Sequence, residues 1–269
     1  MAKPVAWRPR GVIQGEALRR QSPAGRFLAE GPLAEFVEHF WTVAWDLRGQ
    51  PAATRETLPH PSVHLVIEPG RSGLAGVQSK RFIRTLEGRG RVLGVKFHPG
   101  CFRPFWGRPI HELTDRILPL GEAFGRDGEA LEDAVLACGP DTAAGLAQVE
   151  AFLLARLPPP DPKARLARQL VARILEDRAL TQAEAVAREA GMSLRSLQRL
   201  FSDQVGVSPK WVIQRYRLHE AMERLETDPS VDLPALALAL GYFDQAHFIR
   251  AFKRFLGRTP GGYARASEG

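Results

Sequence analysis

The chain has 269 residues, of which 44% are hydrophobic and 25% are charged, and its formal net charge is +7. This length allows two domains of ordinary size, and this balance excludes a chain that is disordered over most of its length. No uninterrupted apolar run reaches the roughly 18 to 20 residues of a membrane span, so we expect no membrane partner. The positive charge favours an anionic partner but does not identify one.

The beginning of the chain and its cysteines both indicate the cytoplasm. The first ten residues, MAKPVAWRPR, have charges and prolines where a signal peptide has an apolar core. Cys101 and Cys138 lie far apart and belong to no CxxC pair or zinc-spaced histidine pattern. We therefore expect a cytoplasmic protein with two reduced thiols and no metal or cofactor. A redox-sensing role for either thiol stays open.

A proline-rich segment divides the chain. Residues 157–162, LPPPDP, contain four prolines, which lack N–H donors and prevent a helix from continuing. Before it, residues 33–99 hold runs rich in β-branched and aromatic residues, such as FVEHFWTVAWDL, SVHLVIEP, SKRFIRTLEG and RVLGVKFHP, which predict strands. We predict a two-domain α+β protein with a β-rich domain and C-terminal helices over 1–157, a linker over 158–162 and an all-α domain over 163–269.

Two segments before the prolines, 129–137 and 142–157, have helical composition. In the second segment, apolar residues recur at three-and-four spacing and form one face. This face would either contact a second copy of the chain, giving a homodimer, or pack against the β-rich domain, and the sequence leaves both open. Its residues are Leu146, Val149, Phe152 and Leu153.

The chain after the prolines reads as helices separated by Gly, Pro and capping residues. Thr181 followed by Glu184 predicts a capping box at one helix start. The predicted helices span 163–178, 182–190, 194–204, 209–226, 233–240 and 245–256, with a last turn after Pro260.

Two segments of this helical region repeat each other: AREAGMSLRSLQRLFSDQVGVSP (187–209) and ALALGYFDQAHFIRAFKRFLGRTP (237–260). Each copy runs from a short apolar helix through a glycine turn and a capping residue, Ser193 or Asp244, into an amphipathic helix. This is the order of a helix-turn-helix. The sequence therefore predicts two such units.

The second helix of each copy has an apolar side and an arginine side. At 100° per residue, Arg195 and Arg199 lie opposite the leucines of the first copy, and Arg250 takes the same place in the second. Such a stripe suits the DNA major groove, because guanidinium can bond guanine or grip phosphate. Surface arginines are often merely solvated, but the repetition in one register favours the DNA interpretation.

The predicted helix between the two units sets their spacing. Its roughly 17 residues at about 1.5 Å each give a rigid spacer of about 25 Å. One turn of DNA is longer, about 34 Å. With the bodies of the two units adding reach, we expect both second helices to enter successive major grooves on one face of a bent duplex.

The region from about Ala164 to Ala266 resembles the DNA-binding domain of the AraC/XylS family, through RLHEAMERL, the second repeat and the closing Tyr263. The resemblance implies seven helices, with two helix-turn-helix units joined by a long helix. It implies a transcription regulator, an activator or less often a repressor, that is not an enzyme. Its partners would be double-stranded DNA, which brings the protein to the nucleoid, and RNA polymerase if it is an activator.

The resemblance also carries over positions that contact DNA. Ala246 stands where some family members have a polar residue, which weakens direct readout there, although the methyl group can still contact a thymine methyl. Lys253 and Arg254 extend the outward stripe of the second unit. The other expected DNA contacts are Ser193, Arg195, Gln198 and Arg199 in the first unit and Gln245, His247 and Arg250 in the second.

The N-terminal part is similar, through WTVAWDL, LPHPSVHLVIE and GVKFHPGCFRPF, to the β-rich and often cupin-like sensor domains that precede this DNA-binding domain in family members. The resemblance implies a ligand pocket or a dimer interface and transfers no ligand. The aromatic residues indicate an apolar or aromatic effector, although they equally build ordinary core. The candidate ligand-binding residues are Trp41, Trp45, His60, His64, Phe97, Phe102 and Trp106.

Three other interpretations compete with an effector-responsive regulator. His60, His64 and Glu68 lie at four-residue spacing, on one face of a predicted strand, as in a metal-dependent enzyme. They lack the usual His-x-His pair and Pro61 interrupts the strand, so we expect no metal site. A DNA-repair methyl acceptor is excluded because two distant cysteines cannot form its zinc cluster. A regulator whose N-terminal domain only dimerises or binds a protein stays open.

Overall fold

The computed structural model of the chain describes residues 3–4, 12–13, 23–228 and 230–267. Most of MAKPVAWRPR, on which the signal-peptide expectation rests, lies outside the described residues. Contacts group the chain into two compact units, Met1–Arg168 with Leu200–Val207, and Gln169–Arg199 with Ser208–Gly269. The boundary placed at 157–162 stays a prediction.

The first unit contains two antiparallel sheets. One has seven strands in the order β1-β3-β4-β9-β6-β7-β10, and the other has three in the order β2-β5-β8. The β-rich character predicted for this part is confirmed. The strands are β1 (Lys3–Pro4), β2 (Val12–Ile13), β3 (Ala24–Leu28), β4 (Val37–Asp46), β5 (Ala53–Thr57), β6 (His64–Ile67), β7 (Gly73–Ala75), β8 (Phe82–Leu86), β9 (Arg89–Phe97) and β10 (Ile117–Leu118).

Four helices cover one face of the seven-stranded sheet. They are α1 (Arg103–Trp106), α2 (Leu120–Phe124), α3 (Arg126–Ala137) and α4 (Thr142–Ala155). Phe40, Val95 and Leu65 lie opposite one another on β4, β9 and β6 and form the main core together with apolar residues of these helices. The apolar face of α4 is buried in this core, so it packs against its own unit and is not a surface for a second chain.

The opposite face of the same sheet meets the three-stranded sheet. Because successive side chains of a strand point to opposite faces, Val43 and Trp45 of β4 lie away from the main core. They form a smaller cluster with Val92 of β9 and Leu86 of β8. We call this side of the seven-stranded sheet its inner face.

Seven helices follow among the described residues. Six of them begin and end within two residues of the predicted limits, and the seventh begins at Pro260, where the sequence predicts a last turn. The helical C-terminal part of the predicted fold class is therefore confirmed. Along the described part of the chain, no helix has the length and apolar character needed to cross a bilayer. The helices are α5 (Pro162–Glu176), α6 (Ala183–Glu189), α7 (Leu194–Gln204), α8 (Pro209–Thr227), α9 (Leu233–Ala239), α10 (Gln245–Leu256) and α11 (Pro260–Ser267).

Two local predictions are wrong. The capping box at Thr181 and Glu184 does not form, because α6 begins one residue later and its N-cap is Gln182, whose side chain makes no capping hydrogen bond. His60 does not share a strand face with His64, because β6 begins at His64. The prolines on either side of His60 cannot donate to a sheet ladder, and so this segment stays outside the strand.

Candidate nucleic-acid interface

The first helix-turn-helix consists of α6, a turn and α7. Gly191 adopts φ +63° in the turn, a left-handed conformation that a Cβ penalises. Ser193 then caps α7, because its hydroxyl accepts a hydrogen bond from the Ser196 backbone N–H at 3.1 Å. The turn and the cap together fix where α7 begins.

The two sides of α7 differ in burial as the periodicity predicts. Leu197, Leu200 and Phe201 are buried and hold the helix in place. The side chains expected to contact DNA are on the other side, and all four are exposed: Ser193, Arg195, Gln198 and Arg199.

The second helix-turn-helix repeats this construction. Asp232 caps α9, and Gly241 adopts φ +70° in the turn. Asp244 caps α10 by accepting a hydrogen bond from the His247 backbone N–H at 2.6 Å. Among the residues expected to contact DNA, Gln245 is half-buried and the rest are exposed, namely Ala246, His247, Arg250, Lys253 and Arg254.

A group of aromatic rings packs against the buried side of α10. Phe248 and Phe252 are fully buried, with ring centroids 5.6 Å apart. Tyr242 lies 5.3 Å from Phe248, and Tyr263 of α11 lies 5.9 Å from Phe252. Edge-to-face packing of this kind stabilises the helix and fixes its rotation about its own axis. Arg250 is therefore held on the solvent side.

The exposed arginines of α7 and α10 differ from other arginines of the second compact unit in their ion pairs. Arg173 pairs with Asp177 at 2.8 Å and with Glu189 at 2.5 Å, and Arg224 pairs with Glu220 at 2.5 Å. Arg199 and Arg250 form no ion pair with any residue in the described ranges. Their charges are thus available to an external anion.

Family comparison agrees with this geometry. A model described as "Helix-turn-helix domain" matches residues 186–266, which include the last part of α6, the rest of the first helix-turn-helix, the joining helix and the second helix-turn-helix. The chain is also similar to several named transcription regulators, the arabinose operon regulatory protein among them. Residues 186–266 thus match this helix-turn-helix family, and we call them the AraC-type domain after the family that the sequence resembles.

Two relatives illustrate the extent of the similarity. The chain is 40% identical over 83 residues to the transcriptional regulator GlxA of Rhizobium meliloti, which is 31% of this chain and 25% of that protein. It is 28% identical over 179 residues to the arabinose operon regulatory protein of Salmonella typhimurium, which is 63% of this chain and 58% of that one. The chain thus spans between a quarter and three fifths of the length of these two relatives.

Among solved structures, the C-terminal domain of AraT, a response regulator from Geobacillus stearothermophilus, is similar to part of this chain. The identity is 25% and the TM-score is 0.35, and the match covers 39% of this chain and 86% of that chain. Residues 25–119, ahead of the AraC-type domain, match a family described as "Domain of unknown function (DUF6597)". This second family corresponds to the strands of the first unit from β3 to β10.

The residues predicted to bind a ligand ahead of the AraC-type domain do not form one group. Phe97 and Phe102, with ring centroids 4.7 Å apart, belong to the main core, and Trp106 packs against it. Trp41 and Trp45 lie on the inner face of the sheet. A single pocket lined by all these residues is thus a wrong prediction, because the sheet lies between the two groups.

His60, His64 and Glu68 also have separate environments. His60 lies in the loop before β6, and His64 contacts Trp41 with ring centroids 6.1 Å apart. Glu68 is buried and forms a bidentate ion pair with Arg84 of β8. Among the described residues, no cluster of three or more His, Cys, Asp or Glu side chains is arranged to hold a metal.

Periodicity did not reveal the buried arginine of the AraC-type domain. Arg215 of α8 is 1% exposed, and its guanidinium lies 4.8 Å from the ring centroid of Phe255. Burial lowers the pKa of Arg215 well below its usual value. In the sequence, Arg215 looks like one more polar residue of an amphipathic helix. Only the structure shows that its side chain packs against Phe255 of α10.

Proposed function

We propose that this protein is a sequence-specific DNA-binding transcription regulator that reads two successive major-groove segments with α7 and α10. One observation carries the proposal: two units built to the same plan expose an arginine at the same position of their second helix, Arg199 and Arg250. A guanidinium at this position can donate to guanine O6 and N7 or bind a phosphate.

The lack of ion pairs at Arg199 and Arg250 within the described ranges supports this role. A surface arginine that already pairs with a carboxylate must give up that partner to bind DNA. Arg199 and Arg250, which form no ion pair within the described residues, do not incur this cost. Lys253 and Arg254, both exposed, add positive charge beside Arg250. We expect DNA affinity to fall steeply with salt, because each neutralised phosphate releases counterions.

The length of the joining helix supports contact with two successive major grooves. α8 has 19 residues, so its length is about 28 Å at about 1.5 Å per residue. This is less than the roughly 34 Å of one DNA turn, and a bend of the duplex toward the protein would bring two successive grooves within reach.

The β-rich unit would adjust this activity by binding a small effector, by pairing with a second copy, or by both. An activator would in addition contact RNA polymerase. A regulator without any effector is the second candidate, and it is supported by the apolar core that uses Phe97 and Phe102 for packing alone. Binding of a small molecule to the full chain separates the two.

Selection of bound sequences from a random pool of duplex DNA tests the proposal. We expect enrichment of a motif with two conserved segments about 10 bp apart, one for each unit. The affinity for that motif should fall with rising salt by several orders of magnitude between 50 and 200 mM, if about 6 to 10 phosphates are contacted. Failure of the purified chain to enrich any sequence at low salt would reject DNA reading.

A further inference from the structure

A group of polar side chains lies on the inner face of the seven-stranded sheet, beside Trp41. We call it the inner-face cluster. It comes from four strands of one unit, and none of its members takes part in the AraC-type domain. Its residues are Arg26 of β3, Glu38, His39 and Trp41 of β4, His64 of β6 and Lys96 of β9.

Strand register brings these residues together. His39 lies directly opposite Lys96, and Lys96 lies directly opposite His64, so the three form a row across β4, β9 and β6. Directly opposite residues have Cβ atoms about 4.5 to 5.5 Å apart. In the next row, Trp41 lies opposite Gly94, and a Cβ at that glycine would be 2.2 Å from the indole. The indole therefore lies flat against the backbone of β9.

The cluster contains more cations than anions. Its one carboxylate, Glu38, accepts a hydrogen bond from Lys96 Nζ at 3.0 Å and lies 3.3 Å from His39 Nδ1 and 3.8 Å from Arg26. Burial together with nearby Lys96 and His39 lowers the pKa of His64 to about 3, so that its ring is neutral. Two cations, Arg26 and Lys96, thus share one anion.

His64 and Trp41 also have unused hydrogen-bonding groups. In the described part of the chain, the His64 ring forms no hydrogen bond. Trp41 Nε1 is buried and has no hydrogen-bond partner there either. A buried donor without a partner is costly, and the presence of Trp41 Nε1 beside an unmatched positive charge indicates a polar group that is to be bound.

Solvent reaches the cluster. The side chains of Arg26 and Glu38 are 25% and 26% exposed, and that of Lys96 is 13% exposed. The charge of a ligand bound at these side chains would therefore be shielded only in part by solvent.

We propose that the inner-face cluster binds the carboxylate of a small organic acid whose body is aromatic or apolar. Lys96 and the neutral ring of His64 hold the carboxylate, and Trp41 contacts the body. A monoanion matches the single unmatched charge, and a charge-assisted hydrogen bond is about twice as strong as a neutral one. This deepens the effector part of the proposed function and is independent of DNA reading.

Calorimetry on the full chain tests the site with two probe pairs, phenylacetate with phenylacetamide and 3-phenylpropanoate with 3-phenylpropanamide. Each amide keeps the body and removes the charge. We expect at least one carboxylate to bind. We expect its amide to bind at least about tenfold more weakly. Equal binding of acid and amide, or no binding of either acid at millimolar concentration, would overturn the proposal. Inorganic phosphate, a third probe, should not compete, and competition by phosphate would overturn the monocarboxylate assignment.

Variants locate the site. Lys96→Met keeps the length of the side chain and removes its charge, and we expect about a tenfold or greater rise in Kd for the carboxylate. Trp41→Leu should weaken binding of acid and amide alike. Lys80→Met, at an exposed lysine outside the cluster, is the matched control and should bind as the parent does. Unchanged carboxylate binding by Lys96→Met would exclude the cluster.

Two further readouts separate the possible failures. Circular dichroism and retained DNA binding show that Lys96→Met has folded. If Lys96→Met does not fold, carboxylate binding by Lys96→Gln is compared with carboxylate binding by the parent protein at the same concentration. Carboxylate binding without any change in DNA affinity would uphold the site and reject its role as an effector site, whereas loss of DNA binding in the parent protein would reject only the DNA-binding proposal.

Discussion

Arg199 and Arg250 are exposed, form no ion pair among the described residues, and occupy equivalent positions. We predict that Arg199→Ala weakens binding to the selected DNA motif by about 1 to 3 kcal/mol and relaxes base preference at one position of the first segment. Arg71→Ala, at an exposed arginine of the β-rich unit, is the matched control and should leave affinity unchanged. A uniform loss over all sequences would instead make Arg199 a phosphate contact.

His64 predicts how stability depends on pH. The pKa of His64 falls to about 3 in the folded protein, chiefly through burial, while an unfolded histidine titrates near 6.5. Between these values the unfolded state binds the proton and the folded state does not, so stability is lost as the pH falls below 6.5. From pH 7 to pH 5 this loss is at most about 2 kcal/mol for His64.

Urea unfolding at pH 7 and pH 5 measures this difference, and His64→Gln should reduce it. His98, whose pKa is lowered to about 4 by burial and by Arg168, and His39, whose pKa is also lowered, continue to contribute in that variant. The carboxyl of Glu38, with a lowered pKa, acts in the same direction but only at more acidic pH. An unchanged difference in His64→Gln would contradict the assignment to His64.

The two cysteines should differ in reactivity. Cys101 is 2% exposed, and burial raises its pKa to about 12, so almost none of it is the reactive thiolate at neutral pH. Cys138 is half-buried. We predict that a thiol reagent such as Ellman's reagent modifies at most one thiol of the native protein, and none in Cys138→Ala. Rapid modification of Cys101 without denaturant would contradict this.

At the scale of elements, the C-terminal helices could be predicted closely because three signals coincide. The apolar spacing identifies the buried side, Gly191 and Gly241 provide left-handed turns, and Pro209 and Pro260 begin the following helices. Because the segment occurs twice, each of these signals in one copy can be compared with the same signal in the other copy. The positions that the family resemblance predicts to contact DNA lie on the polar side that the same periodicity identifies. Periodicity indicates which side of a helix is buried but not what the other side binds.

The β-rich unit could be predicted only in part. Its long central strands, β4 and β9, are recognisable from composition. β5, with the sequence ATRET, is polar and only partly buried, and β7 has three residues, so neither gives a signal. The inner-face cluster could not be predicted, because it depends on register between strands distant in sequence and on the irregularity between Val37 and His39.

The cap of α10 allows a test at this scale. Asp244→Ala removes the acceptor for the His247 N–H, and we predict a loss of about 1 kcal/mol in the free energy of unfolding together with weaker DNA binding. Asp244→Asn keeps a capping oxygen and should retain most of the stability. Thermal or urea unfolding of the two variants makes the comparison, and equal losses would show that charge rather than capping is what matters.

In the molecule as a whole, we propose that one chain reads two adjacent groove segments. Hydroxyl-radical footprinting of the selected DNA motif tests this most directly. We predict two protected segments about 10 bp apart, with protection lost from one segment in Arg199→Ala and from the other in Arg250→Ala. A single protected segment, or loss of the same segment in both variants, would contradict the account.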